Sequence, residues 1–144
     1  MKKAFSVALC LLILLLLCSC KAKEQNNMNT DKAVTFINGV TEADLWILPK
    51  TQENLKTTLW GTATAASIGT GESRQVPLCE GGDDGLYLIR MIDTDKFYYS
   101  ANDVTLKEGW TLEVKEHEYH RVTLEVKDEN GKTNNTYEVF SAKL

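Results

Sequence analysis

Apolar residues follow two different patterns along this 144-residue chain. Residues 7–17 form one continuous apolar run near the start of the chain. From Ala33 onward the apolar residues instead recur at every second position or in short blocks, with turn residues between them. Alternation with a period of two is typical of β-strands that bury one face. The pattern therefore predicts a short apolar leader followed by a β-rich domain.

Turn residues divide this domain into short strands. The predicted strands cover residues 33–38, 44–48, 56–65, 73–78, 85–92, 97–100, 103–106 and 110–115. The end of the chain predicts a β-hairpin, since residues 122–127 and 136–143 flank Asn130-Gly131, a pair that tolerates the positive φ angles of a tight turn. Two segments carry helical signals, one turn within residues 51–59 and the charged residues 115–118. Neither has the length or the sustained apolar stripe of a packed helix.

About eight to ten short strands, without helices to cover a parallel sheet, are typical of an all-β fold. We therefore predict a single antiparallel β-sandwich over residues 33–144, a length of about 110 residues that can bury one core without disulfides. The three tryptophans are predicted in that core, because their large area fills the space between two sheets. The predicted core residues are Phe36, Leu45 or Ile47, Trp46, Leu59, Trp60, Val76, Leu86 or Ile89, Trp110, Leu112, Leu124 and Val139.

The leader resembles the signal of a bacterial lipoprotein. Lys2 and Lys3 provide a positive start, an apolar run follows, and Ser19 places a small residue directly before Cys20. The resemblance implies that a signal peptide of residues 1–19 is removed and that fatty acyl chains such as palmitate are attached to Cys20. Diacylation of the thiol with acylation of the new amine would give stable attachment to a lipid bilayer, whereas a single chain is marginal.

A second cysteine of the leader, Cys18, is the rival anchor. It follows Leu17, a bulky residue where the peptidase of this family needs a small one. The apolar run is too short for a membrane span, which needs about 20 apolar residues. Residues 20–32 contain one sizeable apolar residue, Met28, and are predicted to be a flexible tether because they cannot bury enough surface to become ordered. We therefore expect the protein at the cell membrane, lipid-anchored on the extracytoplasmic face.

The charge of the mature chain limits its partners. The full sequence has 16 basic and 20 acidic residues and a net charge of −4. Removal of Lys2 and Lys3 with the leader leaves 14 basic residues against 20 acidic ones, a net charge of −6. An acidic surface repels phosphate groups, and no cluster of basic residues interleaved with aromatics offsets it, which argues against nucleic acid. The expected partners are the bilayer, through Cys20, and an envelope protein or a glycan.

Several short motifs of the domain resemble a group of small secreted bacterial β-sandwich modules. These motifs are Leu45-Trp-Ile-Leu-Pro49, Leu59-Trp-Gly61, Gly71-Glu-Ser73, Val76-Pro-Leu78, Tyr87-Leu-Ile-Arg-Met-Ile-Asp-Thr-Asp95, residues 104–106 and Gly109-Trp-Thr-Leu112. The chain departs from the pattern of the group at Leu48, which stands for a serine, and at Leu88, which stands for an aspartate. The resemblance implies the sandwich fold and no particular activity, since fold does not carry function.

Acidic residues beside glycine-rich turns are the first candidates for chemistry. Carboxylate and carbonyl oxygens of this kind hold hard cations such as calcium in flexible geometry. The candidate calcium ligands are Asp83, Asp84, Asp93, Asp95 and Asp103. Their spacing does not match the known calcium-binding loop, and Asp and Gly are also ordinary turn residues. Solvated turns are the favoured interpretation, with a calcium-dependent carbohydrate-binding module as the alternative.

Residues suited to nucleophilic or metal-dependent catalysis are sparse. His117 and His120 are one position short of the metalloprotease motif His-Glu-x-x-His, and we predict them in an exposed loop between two strands. Cys79 ends an apolar stretch without an adjacent His or Lys, which indicates a buried side chain rather than a nucleophile. Arg90 is expected to pair with an aspartate at a strand end. No serine-nucleophile elbow is present in the sequence.

We therefore predict no catalytic residues, no cofactor and no enzyme activity, with a small envelope hydrolase as the alternative. The domain is expected to act as a non-catalytic binding or structural module. Exposure of Trp110, or of Tyr98 and Tyr99, would indicate a platform for carbohydrate.

Overall fold

The computed structural model describes residues 32–118 and 120–144. The predicted signal peptide 1–19, the predicted anchor Cys20 and the predicted tether up to residue 31 lie outside the described residues and stay predictions. The described part is an all-β domain in which ten strands form two five-stranded sheets. The predicted all-β class and the two-sheet, sandwich-like architecture are confirmed.

The strands divide between the sheets without regard to their order in the chain. They are β1 (Ala33–Ile37), β2 (Ala43–Pro49), β3 (Ala65–Ile68), β4 (Ser73–Pro77), β5 (Leu86–Asp93), β6 (Phe97–Thr105), β7 (Thr111–Glu118), β8 (Arg121–Lys127), β9 (Thr133–Glu138) and β10 (Phe140–Lys143). One short helix, α1 (Gln52–Lys56), follows β2, and a 3-10 turn, Asp83–Gly85, precedes β5. Sheet A has the order β4-β1-β7-β8-β9 and sheet B has the order β10-β6-β5-β2-β3.

One apolar core lies between the two sheets. Alternate residues of each strand enter it, as the period-two pattern predicts. In β5, for example, Ile89 and Met91 face the core, and in β1 Val34 and Phe36 are fully buried there. The same alternation leaves the other residues of each strand on the two outer faces, where a functional surface has to be sought.

One strand pair contradicts the prediction of a purely antiparallel sandwich. β1 pairs parallel with β7, with Phe36 opposite Leu112. The other described pairs are antiparallel. Parallel neighbours need a long crossover, and the chain from β2 to β6 provides it. Because this pairing joins segments that are far apart in the chain, no local pattern indicates it.

The predicted strand over residues 56–65 is wrong. α1 occupies Gln52–Lys56, and its first turn is capped by Thr51, whose Oγ1 accepts a 3.0 Å hydrogen bond from the backbone N–H of Asn54. Residues 57–64, which we call the strap, then cross the outer face of sheet B before β3 begins. Leu59, predicted in the core, lies on the strap with 87% of its surface exposed.

Two other boundaries also differ from the prediction. The predicted strands 97–100 and 103–106 form one strand, β6, which bulges where Asp103 adopts a φ of 58°. The predicted strand 136–143 instead breaks at Val139, so that β9 belongs to sheet A and β10 to sheet B. The hairpin of β8 and β9 around Gly131, with a φ of 79°, is confirmed.

Candidate functional site

The outer face of sheet A carries alternating charges. Lys115 Nζ lies 2.8 Å from the carboxylate of Glu125, and Lys127 Nζ contacts the carboxylate of Glu113. The hydrogen bond from Lys115 holds the pKa of Glu125 below its usual value. Opposite charges on neighbouring strands are mutually favourable. This face of the domain is therefore polar.

The outer face of sheet B carries three aromatic side chains, which we call the aromatic cluster. Trp46 of β2 and Tyr98 of β6 lie on either side of β5, and Trp60 of the strap lies between them. The ring centroid of Trp60 is 5.5 Å from that of Trp46 in an edge-on arrangement. It is 5.4 Å from that of Tyr98, with the two rings stacked. Both arrangements are favourable for aromatic pairs, so the cluster stabilises the position of the strap.

Hydrogen bonds hold the strap against the sheet. Trp46 Nε1 donates to the backbone oxygen of Gly61 over 3.2 Å. Gly61 has a φ of 70°, a conformation that favours glycine and turns the strap across the strands. Trp60 Nε1 donates to the backbone oxygen of Thr57 over 3.1 Å, within the strap itself. A segment without regular structure thus presents an indole ring on sheet B.

An arginine lies beneath the aromatic cluster. Arg90 of β5 is opposite Trp46 in the sheet register and is 5% exposed. Its guanidinium donates to the backbone oxygens of Ile89 (2.9 Å) and Ala101 (3.0 Å) and to Oδ1 of Asn102 (2.8 Å). Burial lowers the pKa of Arg90, because a low-dielectric site disfavours the charged form.

The predicted pairing of Arg90 with an aspartate at a strand end is wrong. Within residues 32–118 and 120–144, no carboxylate forms an ion pair with it. The bulge of β6 leaves backbone and side-chain oxygens of Ala101 and Asn102 directed at the guanidinium instead. Arg90 therefore joins β5 to β6 on the outer side of sheet B.

Exposed apolar side chains flank the aromatic cluster. Leu59 is 87% exposed and Phe140 of β10 is 64% exposed. One row of outward-facing residues crosses sheet B from β10 to β2. In that row Phe140 is paired with Ser100, Ser100 with Arg90, and Arg90 with Trp46. Scattered exposed apolar residues are ordinary, but a contiguous patch marks an interaction surface. We call the aromatic cluster together with Leu59 and Phe140 the aromatic face.

The five candidate calcium ligands lie at opposite ends of the sandwich. Asp83 and Asp84 are exposed in the 3-10 turn, near Lys50, whose Nζ is 2.5 Å from a carboxylate oxygen of Asp103. That hydrogen bond raises the pKa of Lys50. At the other end, Asp93 is the last residue of β5 and Asp95 lies in the turn between β5 and β6. In the part of the chain that the structure describes, no three His, Cys, Asp or Glu residues are grouped as metal ligands.

Asp93, the last residue of β5, is buried rather than solvated. Its two carboxylate oxygens accept hydrogen bonds from the backbone N–H of Phe97 and from the hydroxyl of Tyr99, each over 2.8 Å. The Tyr99 hydroxyl also lies 3.0 Å from Nδ1 of His120. Burial and the contact with Asp93 raise the pKa of Tyr99. Tyr99 is thus part of the interior, whereas its neighbour Tyr98 is half-exposed on the aromatic face.

The prediction of one exposed loop for both histidines is wrong. His117 belongs to β7, and its Nε2 lies 2.7 Å from Oγ1 of Thr123 on β8. His120 is half-buried in the turn between these strands and faces Tyr99. The two imidazoles therefore contact different side chains, Thr123 and Tyr99, and form no common site.

Cys79 and Trp110 both pack against the edge of the core. Burial raises the pKa of the Cys79 thiol, which disfavours the reactive thiolate. Nζ of Lys107 lies 5.3 Å from the ring centroid of Trp110, within cation–π distance. The half-buried Trp110 therefore lies apart from the aromatic face and already has a cationic neighbour.

The sequence identifies the aromatic residues of this site, but the prediction for two of them is on the wrong side of sheet B. Trp46 and Trp60 are predicted between the sheets, whereas the structure has both on the outer side of sheet B. The alternation of the strand could have placed Trp46 correctly. Leu45 and Ile47 both face the core, so the residue between them has to face outward. Trp60 follows a break in that alternation, and its place depends on the strap.

Comparisons with known proteins give no relative for this chain. No protein-family model, no curated protein and no solved structure matches it. Among residues 32–118 and 120–144, no helix has the length and apolar character needed to cross a membrane.

Proposed function

We propose that the protein is a lipoprotein of the cell membrane, anchored on the extracytoplasmic face through Cys20, whose domain is a non-catalytic binding module. The observation that carries the binding role is the contrast between the two outer faces of the sandwich. Sheet A presents paired charges, whereas sheet B presents the aromatic face. Aromatic and exposed apolar side chains grouped on one face, opposite a face of paired charges, are characteristic of a surface that contacts a partner.

The point at which the predicted tether joins the domain supports the aromatic face as the binding surface. The described chain begins at Lys32, whose backbone oxygen accepts a 2.8 Å hydrogen bond from the N–H of Leu78 at the end of β4. β1, which follows directly, belongs to sheet A. A tether that joins the domain on the sheet A side leaves the aromatic face of sheet B accessible to an envelope protein or a glycan.

The placement of the titratable groups supports a non-catalytic role. Asp93 and Tyr99 bond to one another in the interior, and Asp103 is ion-paired with Lys50. A hydrolase needs a general acid and a base beside a substrate cleft. Groups that are bonded to one another in this way contribute to stability instead, and the proposal therefore assigns no catalytic residue.

Carbohydrate binding is the second candidate function. In this form it does not depend on calcium, unlike the calcium-dependent module that the sequence suggests as an alternative. The specific observation in its favour is the stack of Trp60 on Tyr98, which are both half-exposed. Trp and Tyr offer an apolar ring together with a polar tip, a combination suited to partners that are themselves amphipathic. The candidate calcium ligands are divided between the two ends of the sandwich, and Asp93 and Asp103 already have partners within the domain.

Replacing Trp60 by alanine is expected to weaken binding to the cell envelope at least about tenfold, as for an aromatic anchor at the centre of an interface. The mature chain in detergent would be sedimented with envelope fragments, either untreated or washed with dodecyl sulfate to leave the glycan alone. Retention by the washed glycan indicates a saccharide ligand, and retention by untreated fragments alone indicates a protein partner.

The matched control is Trp110→Ala, which removes the same side chain from a site outside the aromatic face. Circular dichroism would verify that both variants are folded. Equal retention of the two variants and the wild type, or no retention of the wild type by either preparation, would count against the proposed binding role.

A further inference from the structure

Arg90 carries a buried charge that the described residues do not neutralise. It is 5% exposed, and no ion pair to it is present within residues 32–118 and 120–144. Its three hydrogen bonds go to neutral oxygens of Ile89, Ala101 and Asn102. A guanidinium has five N–H donors, so two of them have no acceptor in this part of the chain. A buried charge is costly unless it is paired.

Asn102 marks the place where this charge approaches the surface. Asn102 is exposed, and its Oδ1 accepts a 2.8 Å hydrogen bond from Nη2 of Arg90. Along the outer side of β6 it follows Ser100 and the half-exposed Tyr98. A ligand that lies on the stacked rings of Tyr98 and Trp60 could therefore bring a polar group close to the guanidinium.

Two carboxylates at neighbouring positions are engaged elsewhere. Asp44 of β2, one row away, accepts a 2.8 Å hydrogen bond from the backbone N–H of Ser67. Asp103, which follows Asn102, is ion-paired with Lys50. Within the described residues, Arg90 therefore lies beneath the aromatic face as a cation without a neighbouring carboxylate.

We propose that the aromatic face binds a saccharide that carries a carboxylate, with Arg90 as the partner of that carboxylate. The rings of Trp60 and Tyr98 would contact the apolar side of the sugar. The planar guanidinium matches a carboxylate in geometry and in charge, and such charge-assisted bonds are strong in a partly desolvated site. The proposal rests on the proposed binding function and adds the chemical class of the ligand.

The test compares an anionic saccharide with its neutral methyl ester. The mature chain in detergent would be titrated with an oligogalacturonate and with its methyl ester, and binding would be followed by tryptophan fluorescence. We expect the acid to bind at least about tenfold more tightly than the ester, as for a buried charge-assisted hydrogen bond. Equal affinity for the acid and the ester would overturn the proposal.

A variant of Asn102 and a matched control test the role of Arg90 while leaving Arg90 in place. Asn102→Asp puts a carboxylate of the chain itself beside Nη2, so the preference for the acid should be lost. Asn130→Asp adds the same charge in the exposed turn between β8 and β9, outside the aromatic face, so the preference should persist. Because Asn102 and Asn130 are both exposed, neither change creates a cavity in the core. Retention of the preference in Asn102→Asp would overturn the assignment to Arg90.

The outcomes separate this inference from the proposed function. If the wild type sediments with the envelope and depends on Trp60 but does not prefer the acid, the inference fails and the binding role stands. If the wild type binds neither the envelope nor either saccharide, both fail together.

Discussion

Replacing Cys20 by serine is expected to move the protein from the membrane fraction to the soluble extracytoplasmic fraction and to abolish its labelling by radioactive palmitate. The serine hydroxyl does not take the place of the thiol that the lipoprotein-like leader positions for acylation. Each buried methylene of an acyl chain contributes about 0.8 kcal/mol to membrane attachment. Loss of two or three chains should therefore lower the membrane-bound fraction by roughly tenfold or more.

The control for this prediction is Cys18→Ser, which changes the rival cysteine and should leave labelling and attachment intact. The measurements are fractionation of cells and fluorography of the immunoprecipitated protein. If Cys20→Ser stays labelled and membrane-bound, the anchor is assigned to the wrong residue. If Cys18→Ser alone loses the label, the rival anchor is the true one.

Replacing Asn38 by alanine is expected to lower the free energy of unfolding by about 2 to 4 kcal/mol, because it leaves several buried polar groups without partners. Asn38 is fully buried at the end of β1. Its Nδ2 donates to the backbone oxygens of Ile68 (2.8 Å) and Thr41 (3.0 Å), and its Oδ1 accepts from the N–H of Val40 (3.1 Å). One side chain thereby ties the turn after β1 to the end of β3.

Urea unfolding followed by tryptophan fluorescence would measure this loss as a lower midpoint with an unchanged slope. Asn130→Ala, at an exposed turn position, is the matched control and should change stability by less than about 0.5 kcal/mol. Gly39→Ala tests the same corner independently, because a Cβ there would overlap the backbone oxygen of Val114 on β7. A midpoint for Asn38→Ala equal to that of the control would contradict the assigned role.

Much of the fold could be predicted because strands leave a local trace in the sequence. The alternation in residues 122–127 and the turn Asn130-Gly131 predict the hairpin of β8 and β9, which is confirmed. The alternation around Ile89 likewise predicts β5. Where the alternation is weak the prediction is wrong, as over residues 56–65, which contain the end of α1 and the strap instead of a strand.

The candidate site was harder to predict, because it depends on segments that meet only in three dimensions. Trp46, Trp60 and Tyr98 are each visible as aromatic residues, but nothing local indicates that they meet across β5. Arg90 was expected to have an aspartate as partner. The bulge at Asp103, which directs oxygens of β6 at the guanidinium, arises from the pairing of two strands.

The sequence by itself determined the β class, the period of most strands and the presence of one core, because each of these follows from the spacing of apolar residues along the chain. It also predicts the lipid anchor, through the leader of residues 1–19 that precedes Cys20. Only the tertiary structure decided the parallel pair of β1 and β7, the path of the strap and the uncompensated charge beneath the aromatic face. These features join residues that are distant in the chain, and their geometry is set by strand pairing and packing rather than by any local pattern.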